Sequence, residues 1–194
     1  MKTELILEII QERWSPYSFA TTSIEEFRLK AMFEAAGHAP SSRNEQPWVF
    51  VYTTRDDARE FEKYLGFLDD SNRIWAKNAY ALVVTLARTK YTHNGKHNRF
   101  AIYDTGMAVA NLLLQASAFD IYAHQMGGFS AEKVIDYFGL TEDVVPLTVM
   151  ALGYLGDGSL LPQEIYKKDE VRRPRKQVFE IAFRNRLSQP AFKH

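Results

Sequence analysis

Between residues 39 and 48 the chain reads Ala39-Pro40-Ser41-Ser42-Arg43-Asn44-Glu45-Gln46-Pro47-Trp48. Two hydroxyls, two amides, a carboxylate and a guanidinium crowd between two prolines. Such a segment is a connecting loop built from turn residues, or a loop that presents short donors and acceptors to a ligand. A second candidate is His124-Gln125-Met126-Gly127-Gly128-Phe129. The two glycines form a turn ahead of the next helix, or a backbone that a ligand can approach closely. His124 reads as a buried strand histidine or as a group facing a pocket. Arg173-Pro174-Arg175-Lys176 is a basic turn near the end of the chain. His93 and His97 stand four apart, a spacing that binds metal from a helix. The Asn94-Gly95 turn signal between them breaks that helix, so no metal site is expected. The sequence has no cysteine, which removes disulfides and thiol-based redox catalysis. Any redox chemistry here must be carried by a bound cofactor.

The elements that position these groups follow from periodicity. Residues 4–12 place Leu5, Ile6, Ile9 and Ile10 on one helical face. Ser23-Ile24-Glu25-Glu26 reads as a capping box with Ser23 at its head, opening a helix that Gly37 ends. Residues 48–52 predict a strand, 56–65 a helix, and 80–87 a buried strand rich in β-branched residues. The longest periodic run, residues 99–119, predicts a helix buried on most sides, through Ile102, Met107, Val109, Leu112, Leu113 and Ala116. A short strand at 121–124, a helix at 130–138 capped by Ser130 and closed by Gly139, and a strand at 145–154 complete the core. Residues 155–176 are rich in charge and turns, and an apolar segment at 178–183 follows. This order predicts a sheet packed between helices, in the α+β or α/β class. We read residues 1–194 as one domain with a C-terminal arm from about residue 155, long enough to reach a partner subunit.

The 194 residues carry 46% apolar and 25% charged side chains, enough for an ordinary core without metals or disulfides. Lysine plus arginine and aspartate plus glutamate both number 24, so the net charge is zero. That balance argues against a dedicated nucleic-acid binder. No apolar run approaches the ~18–20 residues that span a membrane, and the N-terminus reads as a helix, not a signal peptide. The cytoplasm is the expected compartment.

The pattern Pro-Ser-Ser-x-Asn-x-Gln-Pro-Trp is far more specific than its composition. It resembles the hallmark loop of the nitroreductase-like family of FMN-dependent NAD(P)H oxidoreductases. Further pieces resemble that family in the same order: Arg13-Trp14-Ser15-Pro16, Asn72 before Ala76-Lys77-Asn78-Ala79, Asp104-Thr105-Gly106 to Ala116, the Gln125 to Phe129 loop, Gly153-Tyr154, and Arg173-Pro174-Arg175-Lys176. Together they cover roughly residues 5–183.

The resemblance implies an intertwined homodimer with a three-layer sandwich fold, its sheet mixed but mostly antiparallel and flanked by helices. FMN would sit at the subunit interface. NADH or NADPH would be the electron donor, and a nitroaromatic, quinone or similar small molecule the acceptor, in a ping-pong cycle. Arg13, Arg173 and Arg175 would hold the phosphate, since a planar guanidinium matches phosphate oxygens. Ser15 would bond the ribityl chain or phosphate, with Trp14 beside it. Pro40, Ser41, Ser42 and Asn44 would come from the opposite subunit. Asn72 would read the pyrimidine edge, and Gln125, Met126, Gly127 and Gly128 would face the ring. The Gly127-Gly128 backbone would lie near flavin N5, with unusual backbone angles that glycine permits. One departure stands out. The family often has arginine or lysine where this chain has Tyr17, near flavin N1 and O2, where negative charge gathers on reduction. Other readings stay open: a flavin-holding protein with little turnover, another flavin-dependent dehydrogenase or reductase on the same scaffold, or a flavin-free interaction module.

Overall fold

A computed structural model of the chain describes residues 5–192. Four strands build the sheet: β1 (Trp48–Thr54), β2 (Ala81–Arg88), β3 (Ile121–Met126) and β4 (Val144–Tyr154), in the order β1-β2-β4-β3. Every pairing among the described strands is antiparallel, where a mixed, mostly antiparallel sheet was expected. β2 and β3 run in the same direction, but β4 lies between them, so no parallel pair forms among the described strands. A bulge between Thr85 and Leu86 of β2 falls where Pro146 of β4 cannot donate to the ladder.

Alternation along the strands divides two cores. On one face Leu82, Val84 and Leu86 of β2 and Val149 and Ala151 of β4 meet α3 (Ala58–Leu65), α4 (Asp70–Ala76) and α6 (Ala131–Phe138) through Phe61, Leu65, Trp75 and Val134. On the other, Ala81, Val83, Met150 and Leu152 meet α2 (Glu26–Gly37) and α5 (Ala101–Ser117) through Leu29, Met32, Ala108 and Leu112. The result is the three-layer α+β sandwich that the resemblance implies.

Helix boundaries show where local signals prevail and where packing overrides them. Ser130 accepts from the Lys133 amide at 3.2 Å, and Gly139 closes α6 with a left-handed φ of 60°. Asp57 caps α3 by accepting from the Glu60 amide at 3.1 Å. Ser23 does not cap α2, whose N-cap is Glu25 with no side-chain capping bond. Ile24 is buried in the second core, which draws the preceding segment out as extended chain and starts the helix later. The N-terminal helix is also shorter than predicted: α1 runs Glu8–Glu12, Glu4 lies outside the described residues, and Leu5, Ile6 and Ile10 are exposed. Along α5, Val109, Leu112 and Ala116 are buried as predicted, but Ile102 is 59% exposed. Beyond β4 the arm carries two short helices, α7 (Gln163–Tyr166) and α8 (Val178–Ile181).

Candidate functional site

Arg13 to Tyr17 run between α1 and α2, and the arm folds back beside them at edge strand β3. Where the two meet lies a cleft of about 550 Å³, within the range of small-molecule sites. Arg13, Trp14, Ser15 and Tyr17 line it from the N-terminal side, His124 from β3, and Lys168, Arg172, Arg173 and Arg175 from the arm. Among the described residues no carboxylate lines it. Burial, and then the like charges of Arg175 and Arg172, push the Arg13 guanidinium below its ordinary pKa. Arg172 lies over the Trp14 ring at 4.8 Å and Lys168 over the Tyr17 ring at 5.5 Å. These aromatic faces hold cations in place without neutralising them. A cleft of this kind repels itself, and a compact anion with several acceptor oxygens relieves the repulsion.

Asp169 joins the two sides of the cleft, and nothing in the sequence around it marks it out. Its carboxylate accepts from the Tyr17 amide at 2.9 and 3.1 Å and from the Ser18 amide at 2.8 Å. These bonds lock the arm to the segment that carries Arg13 and Ser15. Tyr17 is thereby fixed at its backbone, and its ring packs edge-on against Trp75 at 5.1 Å. His124 stands beside both, its ring 4.7 Å from Tyr17 and 4.5 Å from Trp75. Its Nδ1–H donates to the Pro16 carbonyl at 2.9 Å, since that oxygen can only accept. Burial pushes the imidazole below its usual pKa, against the smaller upward pulls of the Pro16 bond and Asp169.

The Gly127-Gly128 turn connects to this cleft through α4. Asn72 Nδ2 donates to the Gly128 carbonyl at 3.0 Å, and the Asp69 amide donates to the same oxygen at 3.1 Å. Trp75, on the same helix, reaches Tyr17 and His124. Neither glycine has a positive φ, so the expected unusual backbone angles are absent. The requirement at Gly128 is space: a Cβ there would meet Asn72 Nδ2 at 2.7 Å and Asp69 Oδ2 at 2.8 Å. At Gly127 a Cβ would meet nothing within 4 Å. Among the described residues, neither glycine amide finds a backbone acceptor. Gln125 is exposed and accepts from the Thr148 hydroxyl at 3.0 Å, while the Met126 side chain is buried in the first core. Met126 therefore has only its backbone to offer a ligand. The helix α4 itself went unread in the sequence, because its polar first turn shows no apolar period.

The Pro40 to Asn44 loop is elsewhere in the same chain. The Ser42 amide donates to buried Asp104 of α5 at 2.9 Å, and Ser42 Oγ lies 3.1 Å from the Tyr91 hydroxyl. Ser41 Oγ accepts from the Gln46 amide at 3.0 Å. Arg43, Asn44 and Gln46 all have left-handed φ, at 57°, 57° and 52°. Three such residues in four, none of them glycine, store backbone strain that surrounding bonds must hold, a feature that concentrates at functional sites. Glu45 supplies one such bond, accepting from the Thr92 amide at 2.7 Å. The structure thus gathers Arg13, Trp14, Ser15, Tyr17, Arg173 and Arg175 at one cleft, and Pro40, Ser41, Ser42 and Asn44 in a separate loop. His97 pairs as an isolated bridge with Lys90, and His93 approaches Arg43 at 3.4 Å. No group of three or more metal-ligating side chains occurs among the described residues. No helix among them is long and apolar enough to cross a membrane.

The chain is similar to several known proteins in sequence and fold. An uncharacterized 15.4 kDa protein of Mycolicibacterium smegmatis is 33% identical over 139 residues, spanning 71% of this chain and 92% of its own length. A protein of Archaeoglobus fulgidus, provisionally named an NADH dehydrogenase/NAD(P)H nitroreductase, is 28% identical over 174 residues, 86% of this chain and 92% of its own. A crystal structure described as an oxidoreductase containing FMN superposes with a TM-score of 0.90 at 27% identity, covering 97% of this chain and 96% of the other. The sequence profile of the nitroreductase family matches residues 10–70 and 67–154. The profile spans most of the chain, the strands it covers are the strands of the sandwich, and the chain belongs to the nitroreductase family of oxidoreductases.

Proposed function

We propose that this chain binds FMN in the cationic cleft and, as a homodimer, passes electrons from NADH or NADPH to a small acceptor such as a nitroaromatic or quinone. The observation that carries this reading is the convergence of Arg13, Lys168, Arg172, Arg173 and Arg175 on one cleft without a lining carboxylate. The FMN named for the structural neighbour and the NAD(P)H named for the archaeal relative support it. FMN supplies the redox centre that a protein without cysteine lacks. Arg13, Arg173 and Arg175 hold its phosphate, and Ser15 bonds the chain next to it. Trp14 backs the phosphate end through its contact with Arg172. Tyr17 and His124 line the aromatic end of the cleft. Asn72 fixes the Gly127-Gly128 turn, whose amides are free to donate. Donor and acceptor use the cleft in turn, which makes the kinetics ping-pong.

Two observations favour a second copy completing the site. The strained loop bearing Pro40, Ser41, Ser42 and Asn44 is held ready by Asp104 and Tyr91 but does not join its own chain's cleft. The flank of α5 also leaves Ile102 59% and Tyr103 69% exposed, apolar surface that association would bury.

The deciding experiment is a visible spectrum of the purified protein, before and after NADH or NADPH is added without oxygen. Yellow protein that bleaches on mixing is the expected result. Yellow protein that stays yellow with both donors favours flavin holding with little turnover, a reading to which Tyr17, in place of a cation, lends some weight. Protein that stays colourless after incubation with FMN overturns the proposal.

A further inference from the structure

His124 is fixed in a way that leaves one of its nitrogens unused. Nδ1 is committed to the Pro16 carbonyl. Nε2 has no hydrogen-bond partner among the described residues and is not one of the sealed unpaired atoms, and the His124 side chain lines the cleft. The ring packs in a triangle with Trp75 of α4 and Tyr17 of the N-terminal segment, which also touch each other. The charged groups around it are Asp169 and Lys168 of the arm, with Arg13, Arg172, Arg173 and Arg175 in the same cleft. Asp169 is already bound to the Tyr17 and Ser18 amides. Among the cleft-lining side chains, His124 is the type whose charge changes near neutral pH.

We propose that His124 takes up a proton at Nε2 when the cofactor in this cleft is reduced, and so supplies the positive charge that Tyr17 does not. The inference rests on the FMN-dependent reading above. The balance is simple. The nicotinamide gives up a hydride, two electrons with one proton, and is oxidised. The cofactor gains them and with them one negative charge. A second proton comes from solvent to His124 Nε2 and returns to solvent, or to the acceptor, when the electrons leave. Before reduction, burial favours the neutral imidazole by lowering its pKa. A new negative charge in a partly dehydrated cleft reverses that balance.

The test is the pH dependence of the midpoint potential of the FMN-loaded protein, measured by spectroelectrochemistry from about pH 6 to 8. For two electrons, each coupled proton contributes about 30 mV per pH unit, the equivalent of tenfold in proton activity. Wild type is expected to show a slope steeper than the one-proton value within this window, approaching twice it. His124→Asn keeps a donor near Nδ1 for Pro16 and removes the titrating nitrogen, so its slope is expected to fall to the one-proton value. Equal slopes in the two yellow proteins overturn the inference alone. Nitrogen NMR of labelled histidine in wild type gives the same answer without a variant: His124 is expected to titrate at higher pH in the reduced protein. An unchanged titration overturns the inference. Protein that takes up no FMN overturns the functional reading itself, and this inference with it.

Discussion

Arg13 illustrates how a single side chain ties charge to burial. It is flanked by Arg172 and Arg175, and its guanidinium is already depressed by burial and by their charge. If Arg13 holds the phosphate as proposed, removing it deletes a charge-assisted bond worth about 1.5–3 kcal/mol, and relief of the repulsion with its neighbours offsets part of that. Arg13→Ala should therefore weaken FMN binding by roughly tenfold to a hundredfold with the fold retained, as flavin-fluorescence titration and circular dichroism would report; wild-type affinity would refute the phosphate role. Tyr17 poses the complementary case. Its ring packs on Trp75 and His124 and brings no charge. On the proposed placement of the flavin, Tyr17→Lys would add a cation where reduction deposits negative charge. If that is worth about 1–3 kcal/mol in the reduced state, the two-electron potential should rise by roughly 20–65 mV. An unchanged or lower potential would show that Tyr17 lies away from the charge that develops.

At the scale of elements, the Gly127-Gly128 turn and α4 act together. The two glycines are adjacent but not equivalent: a Cβ at Gly128 would strike Asn72 and Asp69, and one at Gly127 would meet nothing. Gly128→Ala should displace Asn72 and lower both flavin affinity and thermal stability, whereas Gly127→Ala should leave stability within about 0.5 kcal/mol of wild type. Thermal melts of the two variants decide this, and equal effects would sink the argument from space. This contrast also marks what a sequence can disclose. Ser130 and Gly139 announce the ends of α6 because a cap and a left-handed glycine act locally. The hydrophobic strands at residues 81–88 and 144–154 are legible because burial on both faces leaves near-continuous apolar runs. The start of α2 is not, since the burial of Ile24, a tertiary fact, overrides the Ser23 signal. Asp169 is invisible for the same reason: its partners, Tyr17 and Ser18, lie 152 and 151 residues away. Arg13, Trp14, Ser15, Tyr17, Arg173 and Arg175 stand out through a family pattern of ordered motifs, whereas Lys168 and Arg172, which line the same cleft, do not. The division of the expected site residues between a cleft and a separate strained loop depends on tertiary packing, which no local motif carries.

For the whole molecule the question is what the exposed flank of α5 and the strained loop are for. One chain holds the loop through Asp104, buried in the first turn of α5, and through Tyr91, and the same turn exposes Ile102 and Tyr103. If that flank is the seat of a second copy, then dimerisation, loop delivery and flavin binding are one linked equilibrium. Anything that binds only the associated state stabilises it by mass action. Ile102→Lys places a charge on the flank without touching the cleft, since Ile102 does not line it. Burying that lysine unpaired costs several kcal/mol, so the variant should sediment as a monomer at concentrations where wild type is a dimer. Its flavin affinity should fall in step, although Arg13, Arg173 and Arg175 are intact. The two readings separate cleanly. A monomer that binds FMN as tightly as wild type would mean that each cleft is complete within its own chain and that the strained loop serves another purpose. A variant that remains dimeric would place the subunit interface on a different face, and the apolar flank of α5 would need another explanation.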